Sequence, residues 1–143
     1  MIVNLQRKLK LDPKSFKSFV EQLVSVVAEA EASTFSVAFI SDRRMKELNG
    51  FFRGKDSTTD VLSFPHEPDE FEPSEGGTQN YLGDIVISVE QAQKQAKENK
   101  LALEDEIKQL ILHGLLHLCG YDHETDDGEM NKRELQLRRK LGI

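Results

Sequence analysis

Cysteine occurs once in the 143-residue chain, at Cys119, which excludes an intrachain disulfide and makes a reducing cytoplasm the expected compartment. No apolar run is long enough to span a bilayer, and the strongest, around Leu110 to Leu118, falls well short. The opening Met1-Ile2-Val3-Asn4-Leu5 lacks the basic region and apolar core of a signal peptide. Positive charge is also in deficit: 19 Lys and Arg stand against 25 Asp and Glu, a net charge of −6. A chain of that balance does not grip nucleic acid by bulk electrostatics, so any such activity needs local cations, a metal or a partner that delivers the substrate. What remains is ordinary for a globular protein, 38% hydrophobic and 31% charged, and the length predicts a single domain over residues 1–143.

Histidine is rare too, yet three of the four lie in one stretch, His113-Gly114-Leu115-Leu116-His117-Leu118-Cys119-Gly120-Tyr121-Asp122-His123. His113 and His117 are one helical turn apart and share a face. Gly120 can take positive φ, end the helix and let the chain bring His123 back towards the first two rings. Three unpaired imidazoles among leucines would cost about 1–3 kcal/mol for each unsatisfied group, and a shared metal removes that cost. Three imidazoles with one position open describe a catalytic zinc site on His113, His117 and His123. Cys119 lies between them, but a fourth thiolate ligand would close the site, so it is expected to be a small core residue.

The spacing matches the H-x-x-x-H-x-x-G-x-x-H pattern of metzincin proteases with one change. Gly114 stands where the protease carries the glutamate that activates water, so the metal is expected to serve other chemistry. Asp122, beside the ligands, is read as orienting a ligand histidine through its second ring nitrogen, with general base as the alternative.

Along the chain, Ile2 to Leu5 predicts a short strand. Asp12-Pro13 opens a helix whose apolar period through Phe16, Phe19, Leu23 and Val27 runs to about Ala32. Thr34–Ile40 is a strand with Phe35, Val37 and Phe39 on one face. Ser41-Asp42 caps a short helix with Met45 and Leu48 inward, and Gly50 reads as its stop signal. Arg53-Gly54-Lys55 then reads as a loop, which composition alone would make a solvated turn. Val61–Pro65 is a strand, and His66–Asn80 an acidic surface loop with His66 exposed. Tyr81–Ser88 is a strand in which Gly83 predicts a bulge or close backbone approach. Ser88-Val89-Glu90-Gln91 is a capping box opening a polar helix to about Asn99. Glu104-Asp105-Glu106 starts the histidine helix, apolar nearly all round from Leu110, and a last helix begins near Gly128.

Leu48-Asn49, Arg53-Gly54-Lys55-Asp56, Thr59-Asp60-Val61-Leu62-Ser63-Phe64-Pro65, Leu82-Gly83-Asp84-Ile85 and the histidine string occur in the order found in the YbeY endoribonucleases, which this chain resembles over most of its length. Thr58 departs from the proline often found there. The resemblance implies a zincin-like α+β fold, a small mixed β-sheet packed by about five to six helices, with one zinc ion on His113, His117 and His123. It further implies cleavage of single-stranded RNA, 16S rRNA 3′-end maturation, ribosome quality control, and a functional arginine at Arg53. Arg43, Arg44, Lys46 and Lys55 are expected to join Arg53 in a basic rim, offsetting the acids Asp122, Glu124, Asp126, Asp127 and Glu129. The rival readings are a zinc metallopeptidase-like hydrolase and a non-catalytic, zinc-stabilised ribosome adaptor, in which metal contributes folding energy instead of chemistry.

Overall fold

The computed structural model describes residues 1–67 and 80–143; most of the expected acidic loop, residues 68–79, lies outside the described residues. Among the described residues, four strands form one mixed sheet: β1 (Ile2–Asn4), β2 (Ser33–Ile40), β3 (Val61–Pro65) and β4 (Asn80–Ser88). Their spatial order is β1-β2-β4-β3, with β1, β2 and β4 parallel and β3 antiparallel to β4 at one edge. Five α-helices pack around it: α1 (Lys17–Val26), α2 (Asp42–Arg53), α3 (Val89–Glu98), α4 (Leu103–Leu118) and α5 (Glu129–Leu141). This is the α+β architecture expected.

Alternation along the central strands decides which side is which. Phe35, Val37 and Phe39 of β2 and Ile85 and Ile87 of β4 face the main core, with Phe19 and Leu23 of α1 and Ile107, Ile111 and Leu115 of α4. Ile40, Leu62 and Val86 face the other side, where Met45 of α2 closes a smaller cluster. The helix α4 is buried nearly throughout from Ile107, which explains the lack of a polar stripe in its second half.

Two boundaries differ from expectation. The first helix is interrupted: 3-10 turns at Pro13–Phe16 and Ala28–Ala30 flank a ten-residue α1, and Val27 is extended with ψ 104°. Val24, Val26 and Val27 are β-branched and stiff at χ1, which weakens the last helical turn. The second helix runs through Gly50, which keeps helical geometry, and ends at Gly54, a left-handed cap with φ 65°. A glycine near a helix end is only a permissive stop, and here the second one takes the role. Arg53 therefore occupies the last turn of α2, not a loop.

Gly83 confirms both expectations placed on it. The β2–β4 register slips beside it, between Thr34 and Ser36, and Gly83 has φ +139°. A Cβ there would stand 2.2 Å from the Phe64 carbonyl oxygen, a distance no side chain tolerates. Gly114 has a comparable packing reason. A Cβ on it would meet Cγ2 of Ile85 at 2.8 Å, so the glycine lets α4 lie close on β4, and its carbonyl accepts from the Ser63 hydroxyl at 3.1 Å.

Candidate metal centre

Helix α4 carries His113 and His117, and its end is built to return the chain. The Gly120 N–H donates to the His117 carbonyl at 3.0 Å and the Tyr121 N–H to the Leu116 carbonyl at 3.1 Å, with Gly120 at φ +101°. That is the Schellman pairing, and it sends Tyr121, Asp122 and His123 back over the helix. The three rings converge: centroids are 4.9 Å apart for His113 and His117, 5.1 Å for His117 and His123, and 5.5 Å for His113 and His123. One ring nitrogen from each lies within 4.8 Å of the others.

Two of the rings have their second nitrogen engaged. Nδ1 of His113 is 2.7 Å from Oε1 of Glu134 on α5, and Nδ1 of His117 is 3.0 Å from the Tyr121 carbonyl oxygen. With Nδ1–H donating to these acceptors, Nε2 of each ring carries the free lone pair that a metal needs. Burial, followed by the neighbouring His113 and His123, pushes the His117 pKa below its usual value, which favours the neutral form. Burial raises the Glu134 carboxyl, but the hydrogen bond and charge of His113 together with Arg138 outweigh it and leave the pKa lowered. The donor set thus fits a divalent ion: three nitrogens oriented inward, and no cysteine or carboxylate grouped with them among the described residues.

Cys119 is half-buried and stands outside the trio, and desolvation by burial pushes its thiol up to about 11, as a core residue requires. Asp122 takes another part than the one expected. Its Oδ1 accepts from the Glu124 N–H at 3.0 Å, and its carbonyl from Asp126 N–H at 3.1 Å, while Glu134 orients His113. The pairing of Glu134 with His113 does not follow from spacing, because the two are 21 residues apart on separate helices. An inward position on an otherwise charged helix was the available signal.

A cleft of about 600 Å³ opens over the three rings, and Arg53, Asp60, Ser63, Tyr121, Asp122 and Glu124 are among its lining residues. Arg53 is the one member of the expected basic rim that reaches it. Arg43 and Arg44 instead approach Glu47, at 3.8 and 4.0 Å, and Lys46 approaches Asp56 at 3.6 Å. These three sit on early turns of α2 or point along its exposed side, so a run of cations in sequence becomes a surface ion-pair group. The acids after His123 are largely engaged in shaping their own loop: Asp126 accepts from the Gly128 and Met130 N–H groups, each at 2.9 Å, and Glu129 from Asp127 N–H at 2.6 Å. Met130 itself is buried in the core, a packing residue.

A sheet-backed helix bearing two inward imidazoles, completed by a third from the returning chain, defines a protein organised round three histidines that could hold a metal ion. The family model described as Endoribonuclease YbeY matches residues 1–142. Among relatives, Endoribonuclease YbeY of Nautilia profundicola is 51% identical over 102 residues, covering 71% of this chain and 68% of that one. That of Desulforamulus reducens is 37% identical over 149 residues, covering 100% of this chain and 97% of its own. The solution structure of TM1509 from Thermotoga maritima superposes with a TM-score of 0.62 at 30% identity, over 95% of this chain and 85% of that one. The chain belongs to the YbeY endoribonuclease family, enzymes that cut within RNA.

Proposed function

We propose that this endoribonuclease cuts single-stranded RNA by holding a phosphodiester between zinc on His113, His117 and His123 and the guanidinium of Arg53. The observation that carries the reading is the meeting of those three rings and that one arginine in a single cleft. When bound, zinc supplies Lewis acidity at the phosphate and access to hydroxide near neutral pH. Every other contribution comes from the chain. Glu134 and the Tyr121 carbonyl hold protons on Nδ1 of His113 and His117 and so keep Nε2 available. Arg53, which has no ion-pair partner among the described residues, presents a planar fork to the non-bridging oxygens and to the charge that grows on them in the transition state.

Zinc is favoured over harder ions because all three donors are imidazole nitrogens. The finer assignments rest on the family resemblance and on charge. A net charge of −6 and one arginine in the cleft argue for a substrate presented by the ribosome, in 16S rRNA 3′-end maturation and ribosome quality control. The same reading puts the chain in the cytoplasm, acting as one catalytic domain. No helix among the described residues is long and apolar enough to cross a membrane.

The test is cleavage of a labelled single-stranded RNA by wild type, His117→Ala and Arg53→Ala purified side by side, with metal content measured on each. Wild type cuts, His117→Ala loses metal and cleavage together, and Arg53→Ala keeps its metal but cuts about 100-fold more slowly. Equal cleavage by wild type and His117→Ala would remove the activity from this centre. If wild type cuts neither free RNA nor ribosomes, the adaptor reading takes over.

A further inference from the structure

Strand β3 lies at one end of the sheet, and among the described residues no further strand pairs with it. Its pairing with β4 fixes which way its backbone faces. The Ser88 N–H donates to the Asp60 carbonyl at 2.9 Å and the His66 N–H to the Leu82 carbonyl at 3.0 Å. In an antiparallel pair, residues alternate between exchanging both hydrogen bonds with the partner strand and turning both groups away from it. Leu62 and Phe64 therefore point their N–H and C=O groups at β4. Val61, Ser63 and Pro65 turn theirs to the open edge, and all three line the histidine cleft.

Donors are scarce at that edge. The Val61 N–H donates to Oδ1 of Asp60 at 2.8 Å, and a proline such as Pro65 has no N–H. Ser63 alone offers both an N–H and a C=O, side by side, and no group among the described residues takes either. Its hydroxyl donates to the Gly114 carbonyl at 3.1 Å, which fastens this pair beside the residue that follows His113.

We infer that the N–H and C=O of Ser63 bind the Watson–Crick edge of an unpaired base next to the phosphate that is cut. The inference rests on the reading that RNA lies in the histidine cleft. A phosphate is a poor partner for this wall, because carbonyl and carboxylate oxygens only accept, and those of Asp60, Asp122 and Glu124 line the same cleft. A base suits it. Each of the four carries an N–H donor beside an acceptor on its Watson–Crick edge, so one donor–acceptor pair takes any of them. In a duplex that edge is occupied by the complementary base, so the same contact rejects paired RNA. This supplies a preference for single strands that a metal and one arginine cannot make by themselves. Open edges also pair with extended peptides, but the family match is to an endoribonuclease.

The experiment is steady-state cleavage of a short unstructured RNA by the metal-loaded full chain as wild type, Ser63→Ala, Ser63→Pro and His117→Ala. Both Ser63 variants lose the hydroxyl bond to Gly114, and only proline also removes the N–H. Proline is tolerated where an edge strand turns its N–H outward, and circular dichroism with metal content checks the fold. The KM of Ser63→Pro is expected to stand about tenfold above that of Ser63→Ala, with kcat within about threefold. A second arm uses wild type alone. RNA with N3-methyluridine on either side of the cut is cleaved about tenfold less efficiently than the same RNA with C5-methyluridine, because only the first methyl blocks the Watson–Crick edge. Equal cleavage of the two methylated RNAs overturns the inference, and so does a folded Ser63→Pro whose KM equals that of Ser63→Ala. A Ser63→Pro defect confined to whole ribosomes overturns it too, and would make the edge a peptide-binding strand. If the proline variant does not fold, the methylated pair decides. Undiminished cleavage by His117→Ala would instead remove RNA from the cleft, and with it the reading on which the inference rests.

Discussion

Oε1 of Glu134 lies 2.7 Å from Nδ1 of His113, and its second oxygen accepts from Arg138 at 2.9 Å, so one buried carboxylate ties one of the three converging imidazoles to helix α5. A carboxylate behind a ligand imidazole fixes its tautomer and raises its basicity, and losing such a partner typically costs 10- to 100-fold in metal affinity. Glu134→Ala is expected to weaken zinc binding by about that much while the apoprotein stays folded. Competition with a chromogenic chelator measures it; unchanged affinity would show that the contact leaves the metal unaffected.

The turn carrying Tyr121 and His123 is held from a distance. Glu29, beyond the end of α1, accepts from the Tyr121 hydroxyl at 2.8 Å and from Arg133 of α5 at 2.9 and 2.7 Å. The Arg133 hydrogen bonds, opposed in part by burial and aided by Tyr121, bring the Glu29 carboxyl from its ordinary 4.5 down to about 2. A depressed carboxyl stabilises the folded state in full above the unfolded value and loses that contribution as pH falls through the folded one. Glu29→Gln should therefore melt below wild type at pH 7, by about 3 °C after allowance for solvent screening. The gap should close between pH 4.5 and about 2, where wild type itself becomes protonated. A gap independent of pH would assign the effect to packing.

Gly114 tests why no glutamate follows the first histidine. Alanine in a helix interior is ordinarily better than glycine by about 1 kcal/mol. Here its Cβ would meet Ile85 Cγ2 at 2.8 Å, and crowding of that kind costs about 1–3 kcal/mol. Gly114→Ala is expected to be destabilising, and the penalty should largely vanish in an Ile85→Ala background, as a double-mutant cycle by urea unfolding would report. Gly114→Glu should be worse still and should create no peptidase. Stabilisation by Gly114→Ala would refute the close packing of α4 on β4.

Binding to free RNA should be weak and only mildly sensitive to salt. One arginine in the cleft releases few counterions, so the slope of log K against log salt should be about −0.7 for a single strand. Titration between 50 and about 200 mM salt checks this. Nanomolar affinity with a steep slope would require the cationic rim that α2 disperses.

Removing the metal should lower thermal stability without unfolding the chain, because the main core of Val37, Ile85, Ile111 and Leu115 is independent of the three rings. A chelator-treated sample is expected to keep its far-UV circular dichroism and to melt lower than the zinc form. Loss of secondary structure on chelation would favour the adaptor reading, in which the metal is part of the fold.

The convergence of His113, His117 and His123, the helix that carries two of them and the glycine that returns the third were legible because they are local. Spacings of four and six residues and a positive-φ position are properties of a short stretch of chain, as are the strand alternation at Phe35, Val37 and Phe39 and the cap at Ser88. Partners from distant elements were not legible. Glu134 behind His113, Glu29 beneath Tyr121, the dispersal of Arg43, Arg44 and Lys46 into ion pairs, and the meeting of Arg53 with the three histidines in one cleft depend on how helices and strands are placed against one another. That placement follows from burying apolar faces on both sides of one sheet, a sum over the whole molecule that no local spacing encodes.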